Sequence, residues 1–594
     1  MRVFYRSIIL FSITFYTQIA TAAFIQPLRS KKAMVVSAHP LASDAGLKML
    51  QKGGNAIDAA VATTFAISVV EPFSAGIGGG GFLLMHDSKK RTIQALDFRE
   101  RAPLKATKNM YLDGSGKVRP NASIDGYLAV GTPGTVAGMY EVHRRYGKLP
   151  WSTVVEPSIR LAKDGFVVKD KFVQAVKRRE KAIASNQAAR AIFTRNGNFY
   201  QPGEKLVQRD LGRTLQDIAV NPRSFYTGRI ARTIANDMAK NGGLITLQDL
   251  KSYKPIWRTP VCGNFDKARV CSMPPPSSGG IHLLQMLNIL NTIGDTDLKS
   301  LGWHHPDTIH LMVEAMRIAY ADRSEYLGDP DFVKVPQQQL INPEYALFRR
   351  QQIDMQRAKP STQVKPVDKN ILEKFTRNPS PKLIPATSNP KSKIQNPKYY
   401  ESTETSHLTV IDAQRNAVSL TFTINLGFGA GIVTPETGIV LNNEMDDFSA
   451  APGVPNAFGL LGNEANSIAP RKTPLSSMTP TIVTENGRLR MAVGTPGGST
   501  IITQVLQIIL NVLEYDMDAG AAVSAPRIHH QWFPDTLRVE PWGLDALTLQ
   551  ELKRRGHKIK QTNPWGNSNL IVVKPDGTLE GAADPRGEGE ARGI

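Results

Sequence analysis

Thr405 is the residue of this chain with the most chemistry open to it. It heads the stretch Thr405-Ser406-His407, and Glu404 before it closes a segment that reads as a disposable linker. A cut between Glu404 and Thr405 would give Thr405 a free α-amine beside its hydroxyl. An unperturbed α-amine has a pKa of about 8, so near neutrality part of it is unprotonated and can act as base for the hydroxyl of the same residue. Nucleophile and base then reside in one amino acid, which is the equipment of covalent catalysis. Other chemistries find less support. No G-x-S-x-G occurs for a nucleophile-elbow hydrolase. His407, the pair His304-His305 and the pair His529-His530 lack a third partner at metal-ligand or triad spacing, so no metal is expected.

These residues need elements to hold them. The alternating run His407 to Ile411, a turn at Asp412 to Asn416, and a second run Ala417 to Ile424 predict two strands. Thr423 lies two residues beyond Thr421 and so shares its face; by default a Thr there is only a good strand former. Arg490 to Gly494 predicts a further strand, Pro496-Gly497-Gly498 a loop, and Ile501 to Leu513 a long helix. Helix N-termini offer unpaired N–H groups and a favourable dipole, and glycines admit a substrate oxygen close to that backbone. Gly497 and Gly498 therefore suit an oxyanion hole; from these residues alone, a plain helix-entry loop fits equally well. Gly76 to Gly81 satisfies G-x-G-x-x-G, with Asp97 following Gly76 by 21 residues. A dinucleotide fingerprint needs a strand before its glycines and a helix after them. Here a helix precedes and the strand Phe82 to His86 follows, so tight backbone packing beneath the site is the better reading.

Several separated motifs share one order: Gly76 to Gly81, Asp97-Phe98-Arg99-Glu100, Pro274 to Gly280, Thr405-Ser406-His407, Asn442 to Asp447, Pro474 to Met478 and Gly494 to Gly498. Together they resemble the gamma-glutamyltransferases (gamma-glutamyltranspeptidases), N-terminal nucleophile hydrolases, from about Ala33 to the C-terminus apart from the linker and some loops. Pattern alone gives mixed α and β. The resemblance implies an α+β fold, a four-layer αββα sandwich of two stacked antiparallel sheets between helical layers, built jointly by both fragments of an autocleaved precursor. It implies cleavage at Glu404-Thr405, with Thr405 as nucleophile, Thr423 hydrogen-bonding it, and Gly497 and Gly498 as the oxyanion hole. It matches Arg99 to the α-carboxylate of a γ-glutamyl group, a role suited to a guanidinium fork, with Ser476 and Ser477 as further donors. Asn425, Glu444 and Asp447 would cradle the α-ammonium, while Asp446 is read as structural. No metal or organic cofactor is implied. The substrates would be small γ-glutamyl donors, glutathione among them, with water, amino acids or peptides as acceptors. Pro452 to Gly462 resembles a lid loop; Phe458 stands where close relatives carry a tyrosine gate, and Ser406 replaces a second threonine. Two rivals remain: a β-lactam side-chain acylase on the same scaffold, disfavoured by Arg99, Glu444 and Asp447, and an unprocessed, non-catalytic solute-binding protein.

Composition fits this picture. After Thr405 there are 15 basic and 19 acidic side chains, a net of −4; the preceding residues hold 57 and 33, a net of +24. Two oppositely charged parts would attract after a cut, as a large and a small subunit forming a heterodimer. The basic residues are scattered, with no aromatic-interleaved patch of the kind nucleic-acid binding needs. Arg2 and Arg6, the apolar run Ser7 to Tyr16 and Ala20-Thr21-Ala22 predict an export signal over residues 1–22 and a periplasmic or secreted protein, an uncleaved anchor being the weaker alternative. Cys262 and Cys271, the only cysteines, flank a hairpin-like turn and predict a cross-strand disulfide, with two free thiols as the alternative. Residues 351–400 hold seven prolines, no glycine, ten basic and three acidic residues. That composition predicts a flexible tail, 351–404, on a large subunit of residues 23–404, with residues 405–594 as the small subunit.

Overall fold

The computed structural model describes residues 25–292, 298–376 and 404–594. The expected signal (1–22) and the 377–403 part of the linker lie outside the described residues. Two seven-stranded sheets form the centre. One runs Glu590–Gly593, Met34–Ser37, Ser406–Ile411, Ala417–Thr423, Gly80–Asp87, Thr92–Asp97, Ile256–Arg258 in spatial order. The other runs Leu28–Ser30, Leu579–Ala583, Asn569–Val573, Arg488–Gly494, Thr481–Glu485, Ala268–Ser272, Val261–Phe265. Every pairing in both is antiparallel. Strands from both sides of Thr405 contribute to each sheet.

Period-two alternation sorts the side chains into layers. Leu408, Val410, Val418, Leu420 and Phe422 face helices, among them Ala56–Val70, whose residues are buried all round. Ile411 and Ala417 turn inward with Met34, Phe82 and Leu84 to meet Ile482, Ala492 and Ile571 of the second sheet. That sheet sends Val483, Met491, Val493 and Leu570 outward against the helices Gly279–Leu290, Pro306–Tyr326 and Ile501–Leu513. The result is helix, sheet, sheet, helix, with three apolar layers between. Small polar groups stitch the two sheets together: Ser419 Oγ donates to Val493 O (3.0 Å) and Thr409 Oγ1 to Asn569 O (3.1 Å). His407, buried in the same layer, contacts Thr421 Oγ1 at 2.8 Å and Thr409 Oγ1 at 3.1 Å.

Most expected boundaries fall within two residues of the observed elements. The tail is the exception, and residues 351–376 correct it. Ile353, Val364, Val367, Leu372 and Phe375 are buried, and Lys369–Leu372 forms a helical turn. Trp532 Nε1 donates to the carbonyls of Ser361 (2.8 Å) and Val364 (2.9 Å), Ser361 Oγ donates to Asp535 (2.7 Å), and Ala358 N donates to Arg555 O (2.7 Å). Composition argued for disorder by averaging; five well-placed apolar side chains and these hydrogen bonds offset the ordering entropy locally. Cys262 and Cys271 are directly opposite in their hairpin and are joined as a disulfide. Among the described residues no helix is long and apolar enough to cross a membrane.

Candidate active site

The strand register places Thr405. Ser406 pairs with Phe422, so the next opposed pair is Thr405 and Thr423, with side chains on the inter-sheet face. Their hydroxyl oxygens are 3.0 Å apart, and Asn425 N donates to Thr423 Oγ1 (2.8 Å). Thr423 can therefore aim its own hydrogen at Thr405. Thr405 N donates to Ser74 O (3.2 Å), which orients the nitrogen that a cut would free. Thr405 has φ +98°. A β-branched residue is an outlier there, so the peptide bond after Glu404 carries strain.

The glycine run sits under this point. A Cβ at Gly79 would collide with the Thr423 carbonyl oxygen, so only glycine lets these backbones meet. Arg99, Thr405, Thr423, Asn425, Glu444, Asp447, Phe458, Ser476, Ser477 and Gly498 line one small pocket. Of the expected site residues, Gly497 alone of the pocket set is not a wall. It has φ +131° and sets the turn that presents Gly498, φ +55°, at the start of Gly498–Thr500 and then the helix Ile501–Leu513. A Cβ on Gly498 would lie 2.5 Å from the Phe458 ring, so the lid aromatic packs directly on this backbone.

Opposite lies the buried Arg99 guanidinium among acids. Arg99 Nη1 is 2.8 Å from Glu444 Oε1, in ion-pair contact but off hydrogen-bond geometry; Nη2 bonds Asp447, and Nε donates to Pro474 O (2.9 Å). Burial pushes the Glu100 carboxyl up to about 7 against the pull of Arg99. Burial raises Glu444 further, with Glu100 and Asp447 adding to it, and raises Asp447, offset by Arg99 and Arg323. The residues expected to hold carboxylate and ammonium thus form one network. Ser477 Oγ is buried with no hydrogen-bond partner among the described residues, a donor available to a ligand.

Residues 42–594 match the family model for gamma-glutamyltranspeptidase. The chain belongs to the gamma-glutamyltranspeptidase family. It is 46% identical over 562 residues to the glutathione hydrolase proenzyme of Escherichia coli (strain K12), covering 94% of this chain and 91% of that one. The crystal structure of cephalosporin acylase from Bacillus halodurans superposes with a TM-score of 0.81 at 28% identity, covering 98% of this chain and 99% of that one. The crystal structure of Helicobacter pylori gamma-glutamyltranspeptidase gives 0.54 at 45% identity, covering 59% of this chain and 97% of that one.

In this member of the family the motif loops hold one another. Ser277 and Ser278 donate their hydroxyls to Met478 O (2.6 Å) and Ser476 O (2.8 Å), so Pro274 to Gly280 carries the Ser476-Ser477 loop. Asn442 and Asn443 pin the acidic turn: Asn442 Oδ1 accepts from Glu444 N (3.0 Å) and Asn443 Oδ1 from Leu426 N (3.0 Å). Asp446 holds the lid rather than the fold alone, accepting from Ala457 N (2.9 Å) and Ser123 Oγ (2.7 Å). Gln531, without any local signal, donates to Phe458 O (3.0 Å) and accepts from Ser499 Oγ (2.7 Å), tying the lid to the Gly498 turn. His310, Glu314 and His557 are the one grouping of metal-ligand types among the described residues. His310 Nδ1 and His557 Nε2 bond each other at 2.8 Å, Glu314 pairs with Arg317, and the nearby guanidiniums of Arg317 and Arg555 oppose a cation.

Nine of the eleven histidines are held below the usual imidazole range, chiefly by burial, with His310 and His530 near 4 and His557 near 2. Lowered bases contribute stability present above about pH 6.5 and lost as pH falls. Glu100 and Asp446, both near 7, contribute stability present below about pH 4 and lost as pH rises through 7. Histidines outnumber these acids, so the thermal unfolding midpoint should peak near pH 6.5 and fall steeply toward pH 4.5. His557→Gln should flatten the acid arm by up to about 1.4 kcal/mol per pH unit; an unchanged slope would refute that assignment.

Proposed function

We propose that this protein is a gamma-glutamyltransferase and glutathione hydrolase that activates itself by cutting at Glu404-Thr405. The observation that carries the reading is the joint position of Thr405: strained at φ +98°, 3.0 Å from Thr423, and on the wall of a pocket that ends in Arg99. Thr405 Oγ attacks the Glu404 carbonyl carbon, the peptide C–N bond breaks, and the hydroxyl proton ends on the freed nitrogen. Water then hydrolyses the resulting ester. In turnover the α-amine takes the Thr405 proton as Oγ attacks the γ-carbonyl of glutathione, and passes it to the departing amine. The oxyanion meets the backbone N–H groups of the Gly497-Gly498 turn, where one lost donor costs about 3–4 kcal/mol. Arg99, Ser476 and Ser477 receive the α-carboxylate; Asn425, Glu444 and Asp447 receive the α-ammonium. Water releases glutamate, or an amine takes the acyl group.

Residues 23–404 and 405–594 would form the two subunits. Export is supported by the signal-like N-terminus and by the disulfide. A cephalosporin acylase reading has the structural likeness in its favour, but an apolar acyl group would leave Arg99 and three acids buried without a complement. Purified protein given glutathione should release glutamate and, with a dipeptide present, form a new γ-glutamyl amide. Turnover of an acyl β-lactam in preference to glutathione would overturn the reading.

A further inference from the structure

The uncut Glu404-Thr405 peptide is gripped from both sides by one helix, Asp170–Ser185. On the near side, Arg178 Nη2 donates to Glu404 Oε1 at 2.9 Å; the Glu404 side chain is 5% exposed, the Arg178 side chain 43%. On the far side, Lys171 Nζ reaches Glu71 Oε1 at 2.9 Å, and Glu71 Oε2 accepts from Ser406 Oγ and Ser74 Oγ, both at 3.1 Å. Ser74 in turn takes the Thr405 N–H. The helix is itself fixed. Arg179 donates to the carbonyls of Gly427 (2.8 Å) and Gly429 (2.9 Å), just beyond pocket-lining Asn425. Phe172 packs edge-on against Phe73 and Phe428.

A strained peptide relaxes unless its surroundings hold it. The strain lies at Thr405, whose nitrogen is held by Ser74 and whose hydroxyl is held by Thr423. The acyl half, Glu404, has its carboxylate pinned to the helix by Arg178. Without that grip the Glu404 carbonyl can swing away from Thr405 Oγ and the strain dissipates. We infer that Arg178 is a positioning residue for self-cleavage, acting through the Glu404 carboxylate to keep the scissile carbonyl against the Thr405 hydroxyl. The step is the N→O acyl shift already written: Oγ–C forms, C–N breaks, and the proton moves to nitrogen. This inference rests on the self-cleaving reading and adds to it the device that holds the electrophile.

The test follows cleavage of full-length precursor on denaturing gels in four proteins: wild type, Arg178→Gln, Glu404→Gln and the double variant. Each single variant should cleave about tenfold more slowly, a barrier increase of about 1.4 kcal/mol. The double should be no slower than either single, because one clamp is broken once. Arg178→Lys should recover part of the rate, since it restores charge without the fork. Wild-type cleavage speed in Arg178→Gln, or singles that multiply to about a hundredfold in the double, would overturn the clamp. Should a substitution merely loosen the fold, Arg178→Lys would be as slow as Arg178→Gln, which also overturns it. A wild-type chain that never separates at Glu404-Thr405 would instead defeat the self-cleaving reading on which the clamp depends.

Discussion

The Thr405→Ala protein is expected to run as one full-length band on a denaturing gel and to release no glutamate from glutathione. Alanine keeps the backbone and its φ of +98°, so the strained peptide persists while the only atom placed to attack it is gone. Thr423 cannot substitute: its oxygen is already committed to Asn425 N at 2.8 Å, and no cut would give it an amine base. Where nucleophile and base act as a unit, removing one costs on the order of 10⁶ in turnover, and here a single substitution removes both functions. Thr405→Ser keeps a hydroxyl in the same place and should still cut and turn over. A Thr405→Ala chain that separates into two fragments would refute the assignment.

Arg99→Ala should raise the Michaelis constant for glutathione by roughly 30-fold to several-thousand-fold, the range for truncating one partner of a buried charged pair, while leaving self-cleavage intact. The guanidinium lies across the pocket from Thr405 and touches Glu444, Asp447 and the Pro474 carbonyl. Its loss also strands three buried acids. Glu100, Glu444 and Asp447 are already raised by burial, with Arg99 as the opposing pull. Without it they hold protons to still higher pH, and the variant's stability should fall more steeply than wild type's between pH 6.5 and 8, by a few kcal/mol at most. Steady-state kinetics and unfolding midpoints at those two pH values check both arms. An unchanged Michaelis constant would place the carboxylate anchor elsewhere.

The parts of this molecule that sequence revealed are those with local periods or local chemistry. The runs His407 to Ile411 and Ala417 to Ile424 alternate cleanly because one face meets helices and the other the second sheet, and the observed strands, Ser406–Ile411 and Ala417–Thr423, follow them closely. Ala56 to Val70 is observed as read. The pocket residues could be named because their motifs are separate and ordered, and ten of the eleven expected to gather round it, counting Phe458, line one cavity, with Gly497 shaping its edge. What stayed illegible depends on three-dimensional neighbours. Glu100 stands in a quoted motif, yet nothing local says that its charge will help to raise the buried Glu444 carboxyl. Gln531 and Arg178 are ordinary polar residues until the fold brings Phe458 to one and Glu404 to the other. Residues 353–375 failed for a related reason: Ile353, Val364, Val367, Leu372 and Phe375 follow no period, and each is buried against distant partners.

The sharing of each sheet between strands from both sides of Thr405 dictates an order of events. Among the described residues neither piece builds either sheet alone, since Met34–Ser37 is flanked by Glu590–Gly593 and Ser406–Ile411, and the C-terminal strands from Leu579–Ala583 to Thr481–Glu485 are bordered by Leu28–Ser30 on one side and Ala268–Ser272 on the other. Maturation must therefore come after folding, on a chain that is still continuous. Once severed and fully denatured, the two polypeptides would have to meet by diffusion before either could regain its shape. Renaturation yield of the mature enzyme should then depend on dilution, whereas that of the Thr405→Ala precursor should not.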